Sequence, residues 1–133
     1  MGTVLKPIIQ DTCTFIWLTS ESSKLSNLAK NLIDHPKSKL FLSDASIWEL
    51  SLKWSLGKII LPSPPRVWIE EQCAAWTVGE IPIVREIYYR TTELPNHHKN
   101  PFDRIIAAQS IQKGMTLLTP GKHIHAYPVD AVW

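Results

Sequence analysis

Short apolar runs alternate with helix-patterned segments along most of the chain, and this alternation constrains the fold more than any other feature. VLKPIIQ (4–10) reads as a buried strand ending at Asp11, LFLS (40–43) as a second, EIPIV (80–84) as a weak one and MTLLT (115–119) as another, with VDAVW (129–133) last. Between them lie a short apolar helix, TFIWL, then SSKLSNLAKNLIDH (22–35) with Leu25, Leu28, Leu32 and Ile33 at helical spacing behind a serine cap. DASIWELSLKWSLG (44–57) is a helix closed by Gly57, and PPRVWIEEQCAAW (64–76) starts on proline after the turn LPSPP (61–65). REIYYRTTEL follows the weak strand, and NPFDRIIAAQSIQKG (100–114) is a helix with Asn100 as cap, Pro101 at its first position and Asp103 at N3. Strands that alternate with helices predict an α/β fold, a three-layer α/β/α sandwich around a central, mostly parallel sheet.

In such a sheet crossovers are right-handed and ligands gather beyond the carboxyl ends of the strands. Asp11 sits where the first strand ends. Glu49 rides on a helix that follows LFLS directly. The 100–114 helix meets MTLLT through the tight turn at Gly114, so it runs antiparallel to that strand and returns Asp103 to the same edge. Each acid also has a simpler use: Asp11 or Asp103 as a helix cap, Glu49 as an i, i+4 partner of Lys53. Glu49, however, is flanked by Trp48 and Leu50 with Leu52 and Leu56 nearby, so its carboxylate is expected to be partly buried and in need of a partner. Asp103, Ala107 and Ser110 form a stripe of small residues, while Phe102, Ile105, Ile106 and Ile111 take the other directions, which leaves that helix no wide solvated face.

Carboxylates crowded together repel, and one is forced to stay protonated unless a cation removes the penalty. Hard oxygen ligands suit Mg²⁺ or Mn²⁺, which bind phosphate oxygens and activate water. Lys53, Lys58, Lys99, Arg104 and Lys122, with His97, His98, His123 and His125, are cations or potential cations available near that edge, although an ordinary solvated surface explains any one of them equally well. Other chemistries lack their residues. Five glycines form neither GxGxxG nor a P-loop, the cysteines have no zinc spacing, and no nucleophile elbow surrounds Ser43 or Ser46.

Composition narrows the setting. A chain of 133 residues with 44% apolar and 20% charged residues predicts one globular domain spanning 1–133. A formal charge of +2 does not by itself imply nucleic acid. Cys13 and Cys73 make no disulfide framework and fit a reduced, cytoplasmic location. Asp11 interrupts the apolar run after Lys6, no apolar stretch approaches a membrane span, and Lys6 stands where a myristoylation motif beginning at Gly2 wants Ser or Thr. Among six tryptophans, Trp54, Trp68 and Trp76, with Leu61, exceed what the helices around 44–76 need for one core, and some of them are expected to line a homodimer or partner interface.

Taken together, IIQDT (8–12), SDASIWELSLKWSLGKIILP (43–62), LPNHHKNPFDRIIAAQSIQKGMTLLT (94–119) and AYPVDAVW (126–133) resemble PIN-domain ribonucleases, in particular VapC-type toxins of bacterial toxin–antitoxin pairs. The resemblance implies a Mg²⁺- or Mn²⁺-dependent endoribonuclease restrained by a cognate antitoxin, with Asp11, Glu49 and Asp103 as metal-binding, catalytic acids. It puts Thr119 at a hydroxyl position after the fourth strand, and Thr119, Arg104 and Lys122 are the candidate substrate-binding residues. The sequence departs from the family in one place that matters. Thr119-Pro120-Gly121 stands where Thr-Ala-Asp or Thr-Pro-Asp is usual, so a fourth acid is replaced by glycine, and Asn100 occupies a place where close relatives often carry aspartate. The alternative this raises is a catalytically weakened PIN domain that binds RNA or antitoxin without efficient cleavage. A phosphorelay receiver, another small α/β domain, would want paired acids at the first strand end, where Gln10 precedes Asp11.

Overall fold

The computed structural model describes residues 5–96 and 98–133, so Gly2, the expected strand start at Val4, and His97 lie outside the described residues. Among the described residues five strands, β1 (Ile8–Gln10), β2 (Leu40–Ser43), β3 (Val78–Ile81), β4 (Thr116–Leu118) and β5 (Asp130–Val132), form one sheet in the order β3-β2-β1-β4-β5. Every neighbouring pair is parallel. The helices are α1 (Thr12–Ser20), α2 (Asn27–Asp34), α3 (Asp44–Ser55), α4 (Pro65–Trp76), α5 (Arg85–Glu93), α6 (Pro101–Lys113) and α7 (Lys122–His125).

A parallel sheet covered on both faces needs strands that are apolar on both faces, and every residue of β1 and β4 is buried. Ile8, Leu40, Leu42 and Leu118 face a core completed by Phe15 of α1, Ala29 and Ile33 of α2, Leu50 of α3 and Trp68 of α4. Ile9 and Leu117 face the opposite core, with Ile87 of α5 and Ile105, Ile106 and Ala108 of α6. Each such side chain contributes about 1.5–3 kcal/mol when fully buried. The layers are therefore α/β/α. Chain order runs outward from β1 through β2 to β3 on one side, and through β4 to β5 on the other, which puts the switch point of the sheet between β1 and β4.

Several boundaries differ from the sequence reading. The 22–35 segment is a 3-10 turn (Ser22–Lys24) followed by α2, because Ser26 caps a new helix by accepting from the Ala29 amide at 3.0 Å. The third strand is Val78–Ile81 rather than EIPIV, since it pairs in register with β2 and Pro82 has no N–H to extend the ladder. Gly79 lies opposite Phe41, and a Cβ there would stand 2.7 Å from the Phe41 ring, so the aromatic side chain requires glycine as its neighbour. Trp68 belongs to the core and not to an interface: it is 5% exposed and meets Phe15 edge-on at 5.8 Å between ring centroids. Trp54 and Trp76 are exposed and Leu61 is partly buried against the core. Among the described residues no helix is long and apolar enough to cross a membrane.

Candidate active site

At the carboxyl end of β1, backbone geometry turns Asp11 into the N-cap of α1. Its Oδ1 accepts from the Thr14 amide at 2.8 Å, and its Oδ2 accepts from the Thr119 hydroxyl at 2.5 Å. Thr119 follows β4, so this bond ties the two central strands across the switch point. The Asp11 amide donating to Leu118 O at 3.2 Å and the Thr14 hydroxyl donating to the same oxygen at 2.9 Å reinforce it. Asp11 is 5% exposed, and burial pushes its carboxyl above the ordinary value, against the two hydrogen bonds that favour the ion. The charge of Asp103 pushes it the same way.

β2 ends at Ser43, whose hydroxyl caps α3 by accepting from the Ala45 amide at 3.0 Å. One and a half turns on, Glu49 turns inward and is 4% exposed. Its Oε1 accepts from Thr12 Oγ1 at 2.6 Å and its Oε2 from Lys53 Nζ at 2.8 Å. Thr12 Oγ1 also lies 2.9 Å from the Ser46 hydroxyl. The expected i, i+4 pair is thus present, and the Glu49 hydrogen bond raises the Lys53 ammonium pKa. α6 supplies the third acid. Asn100 performs the capping, its Oδ1 accepting from the amides of Phe102 and Asp103 at 2.9 and 3.3 Å, which leaves the Asp103 carboxylate for other work. Asp103 Oδ2 meets His98 Nε2 at 2.7 Å, and the His98 ring stacks on His123 at 5.4 Å. Burial raises the Asp103 carboxyl pKa; the His98 bond opposes this and the Glu49 charge adds to it.

Asp11, Glu49 and Asp103 all line one cleft of about 390 Å³, together with Cys13, Lys53 and Lys58. Desolvation first, and then the charges of Asp11, Asp103 and Glu49, push the Cys13 thiol above its ordinary value. Three carboxylates from three separate elements therefore sense one another electrostatically. Their oxygens are hard donors of the kind a divalent cation prefers, and the raised Asp11 and Asp103 pKa values report the repulsion and burial that such a cation would relieve. Each carboxylate is nevertheless turned to its own protein partner, and among the described residues no three Asp, Glu, His or Cys side chains form a ready-made ion cage.

The candidate substrate-binding residues are placed differently from one another. Thr119 is buried on Asp11. Lys122 is exposed at the start of α7, between Gly121 and His123, which do line the cleft. Arg104 has another occupation: its guanidinium donates to Pro95 O at 3.2 Å, His98 O at 3.1 Å, the Tyr127 hydroxyl at 3.0 Å, and also to Thr91 O. With its donors spent on main-chain carbonyls, Arg104 fastens the segment before α6 and thereby holds His98 over Asp103. Gly121 has φ −68, so no left-handed strain demands glycine, but a Cβ would lie 3.2 Å from Ile124 Cδ1 and 3.3 Å from Thr119 Oγ1. The sequence reading missed α7 and the roles of Thr12 and His98. Thr12 could have been found from its position next to Asp11, whereas His98 depends on a loop that Arg104 shapes.

The sequence profile of the PIN domain family matches residues 8–129. This chain belongs to the PIN domain family. In structure it is similar to a chain of VapBC2 from Rickettsia felis, solved bound to a DNA fragment from their promoter, with a TM-score of 0.68 and 14% identity over 95% of this chain and 98% of that one. It is similar to a chain of a toxin–antitoxin complex from Klebsiella pneumoniae, with a TM-score of 0.63 and 20% identity over 95% and 96% of the two chains. A chain of FitAB bound to a DNA fragment gives a TM-score of 0.62 and 16% identity over 94% and 93%. No curated protein matches the chain in sequence.

Proposed function

We propose that the protein is a divalent-metal-dependent endoribonuclease, a cytoplasmic toxin of VapC type that a cognate antitoxin restrains. The observation that carries this reading is the arrival of Asp11, Glu49 and Asp103, from β1, α3 and α6, in one cleft at the switch point of the sheet. Those three carboxylates would hold Mg²⁺ or Mn²⁺, which when bound would polarise a phosphodiester and lower the pKa of an attacking water. Asp11 is anchored by Thr14 and Thr119. His98 holds Asp103 in place. Lys58 at the cleft and Lys122 beside it favour a polyanionic substrate, while Arg104 supports the site from behind.

The second reading, a PIN domain that binds RNA or antitoxin and cuts poorly, is favoured by Gly121 in place of a fourth acid. Cleavage of total RNA over a range of Mg²⁺ concentrations separates the two. The parent protein is expected to cut, D103N to lose at least about a hundredfold in rate while remaining folded, and chelation to abolish cutting. G121D, whose carboxylate would also cap α7, is expected to shift the metal dependence to lower concentration. If the parent and G121D are both inert in excess metal, the nuclease reading fails and the binding reading replaces it.

A further inference from the structure

Both oxygens of Glu49 are occupied from within the chain. Thr12 holds Oε1 at 2.6 Å and the Lys53 ammonium holds Oε2 at 2.8 Å. The pair is lopsided in its environment: the Glu49 side chain is 5% exposed and that of Lys53 46%. Lys53 therefore reaches from solvent into the cleft and places its charge on a carboxylate that has almost no water of its own. Asp11 differs, being held by an amide and a hydroxyl, and Asp103 by an imidazole. In the described site only Glu49 has an ammonium or guanidinium fixed on it.

We infer that Lys53 is a tethered counter-ion that competes with a divalent cation for Glu49 and so lowers the affinity of the site. This rests on the metal-site reading above. A cation bridging Asp11, Glu49 and Asp103 would stand a few ångströms from Lys53 Nζ, and like charges at that distance repel strongly in a half-buried cleft. The ammonium must leave Oε2 or be pushed outward, and its open side chain lets it do so. With Gly121 supplying no carboxylate, Lys53 cancels one of only three acids. Lys53 is thus a positioning residue that acts through Glu49, and it makes cation binding a displacement instead of a simple addition.

Mn²⁺ affinity, measured by calorimetry or by the spin-resonance signal of free Mn²⁺, tests this without reference to catalysis. K53M removes the charge, and K53Q removes it while keeping a donor for Oε2, so that Glu49 is not left unpaired. Both variants are expected to bind Mn²⁺ about tenfold more tightly than the parent, an effect limited by solvent screening of Lys53. K53R, which keeps the charge, should stay near the parent value, and E49Q should lose affinity. Saturating Mn²⁺ should also raise the melting temperature of K53Q more than that of the parent. If K53M and K53Q bind no more tightly than the parent while E49Q binds less, the role given to Lys53 is wrong and the metal site stands. If the parent and E49Q bind Mn²⁺ alike, the metal-site reading fails and this inference with it.

Discussion

Asp11 caps a helix, accepts the Thr119 hydroxyl and lines the cleft, and it does so almost out of reach of water. Such a carboxylate costs stability. Its pKa in the folded protein is raised above 3.8 by burial, so folding favours the protonated form. That contribution is complete below the unfolded pKa and is lost as the pH rises through the higher folded value, so the buried acid costs stability at neutral pH. Asparagine at this position keeps an oxygen for the Thr14 amide and carries no charge. D11N is therefore expected to melt roughly 2–5 °C above the parent at pH 7 without added metal, with the difference shrinking as the pH falls. A pH series of thermal melts checks this. A D11N protein less stable than the parent at pH 7 would mean that the Thr119 bond outweighs the desolvation of the charge.

Elements with local punctuation were legible in the sequence, and those decided by pairing were not. α3 and α6 start and stop where Ser43, Asn100, Gly57 and Gly114 say they should, and α4 starts on Pro65, because caps and left-handed glycines act within a few residues, whereas α4 ends on Thr77 in a left-handed conformation that no glycine announces. β3 is an edge strand whose limits come from its register on β2, and α7 is four residues long, too short to show a period. The three acids were legible from the order of strands and helices alone, but their partners were not: His98 and Arg104 meet their targets through a loop with no sequence signature. α3 also presents apolar side chains to solvent. Trp48, Leu52 and Leu56 recur every four residues along it, with Trp48 57% and Leu56 60% exposed, and Phe102 holds the Trp48 ring edge-on at 5.1 Å. In the homodimer expected from the sequence, this stripe and not Trp68 would be the face that a second chain buries. Light scattering is expected to give twice the chain mass of 15.1 kDa for the parent and the single mass for the W48S/L56S double variant. A monomeric parent would contradict the homodimer and leave the stripe to the antitoxin.

Over the whole molecule, one topological fact organises the function. Because β1 lies at the centre and the chain moves outward from it in both directions, the ends of β1 and β4 open a crevice between diverging connections. The loops after β1 and β4 and the helices α3 and α6 then deliver Asp11, Thr119, Glu49 and Asp103 to that crevice from positions far apart in the chain. The fold thus gathers mutually repelling acids and holds them on separate partners, Thr119, Lys53 and His98. On the metal-site reading proposed above, one divalent cation draws these acids together. Anomalous diffraction from crystals grown in millimolar Mn²⁺ tests it most directly. One peak is expected in the cleft, within coordinating distance of carboxylate oxygens of Asp11, Glu49 and Asp103, with Lys53 Nζ displaced from Oε2. A cleft without a peak, or a Mn²⁺ ion held by other residues while Lys53 stays on Glu49, would contradict it.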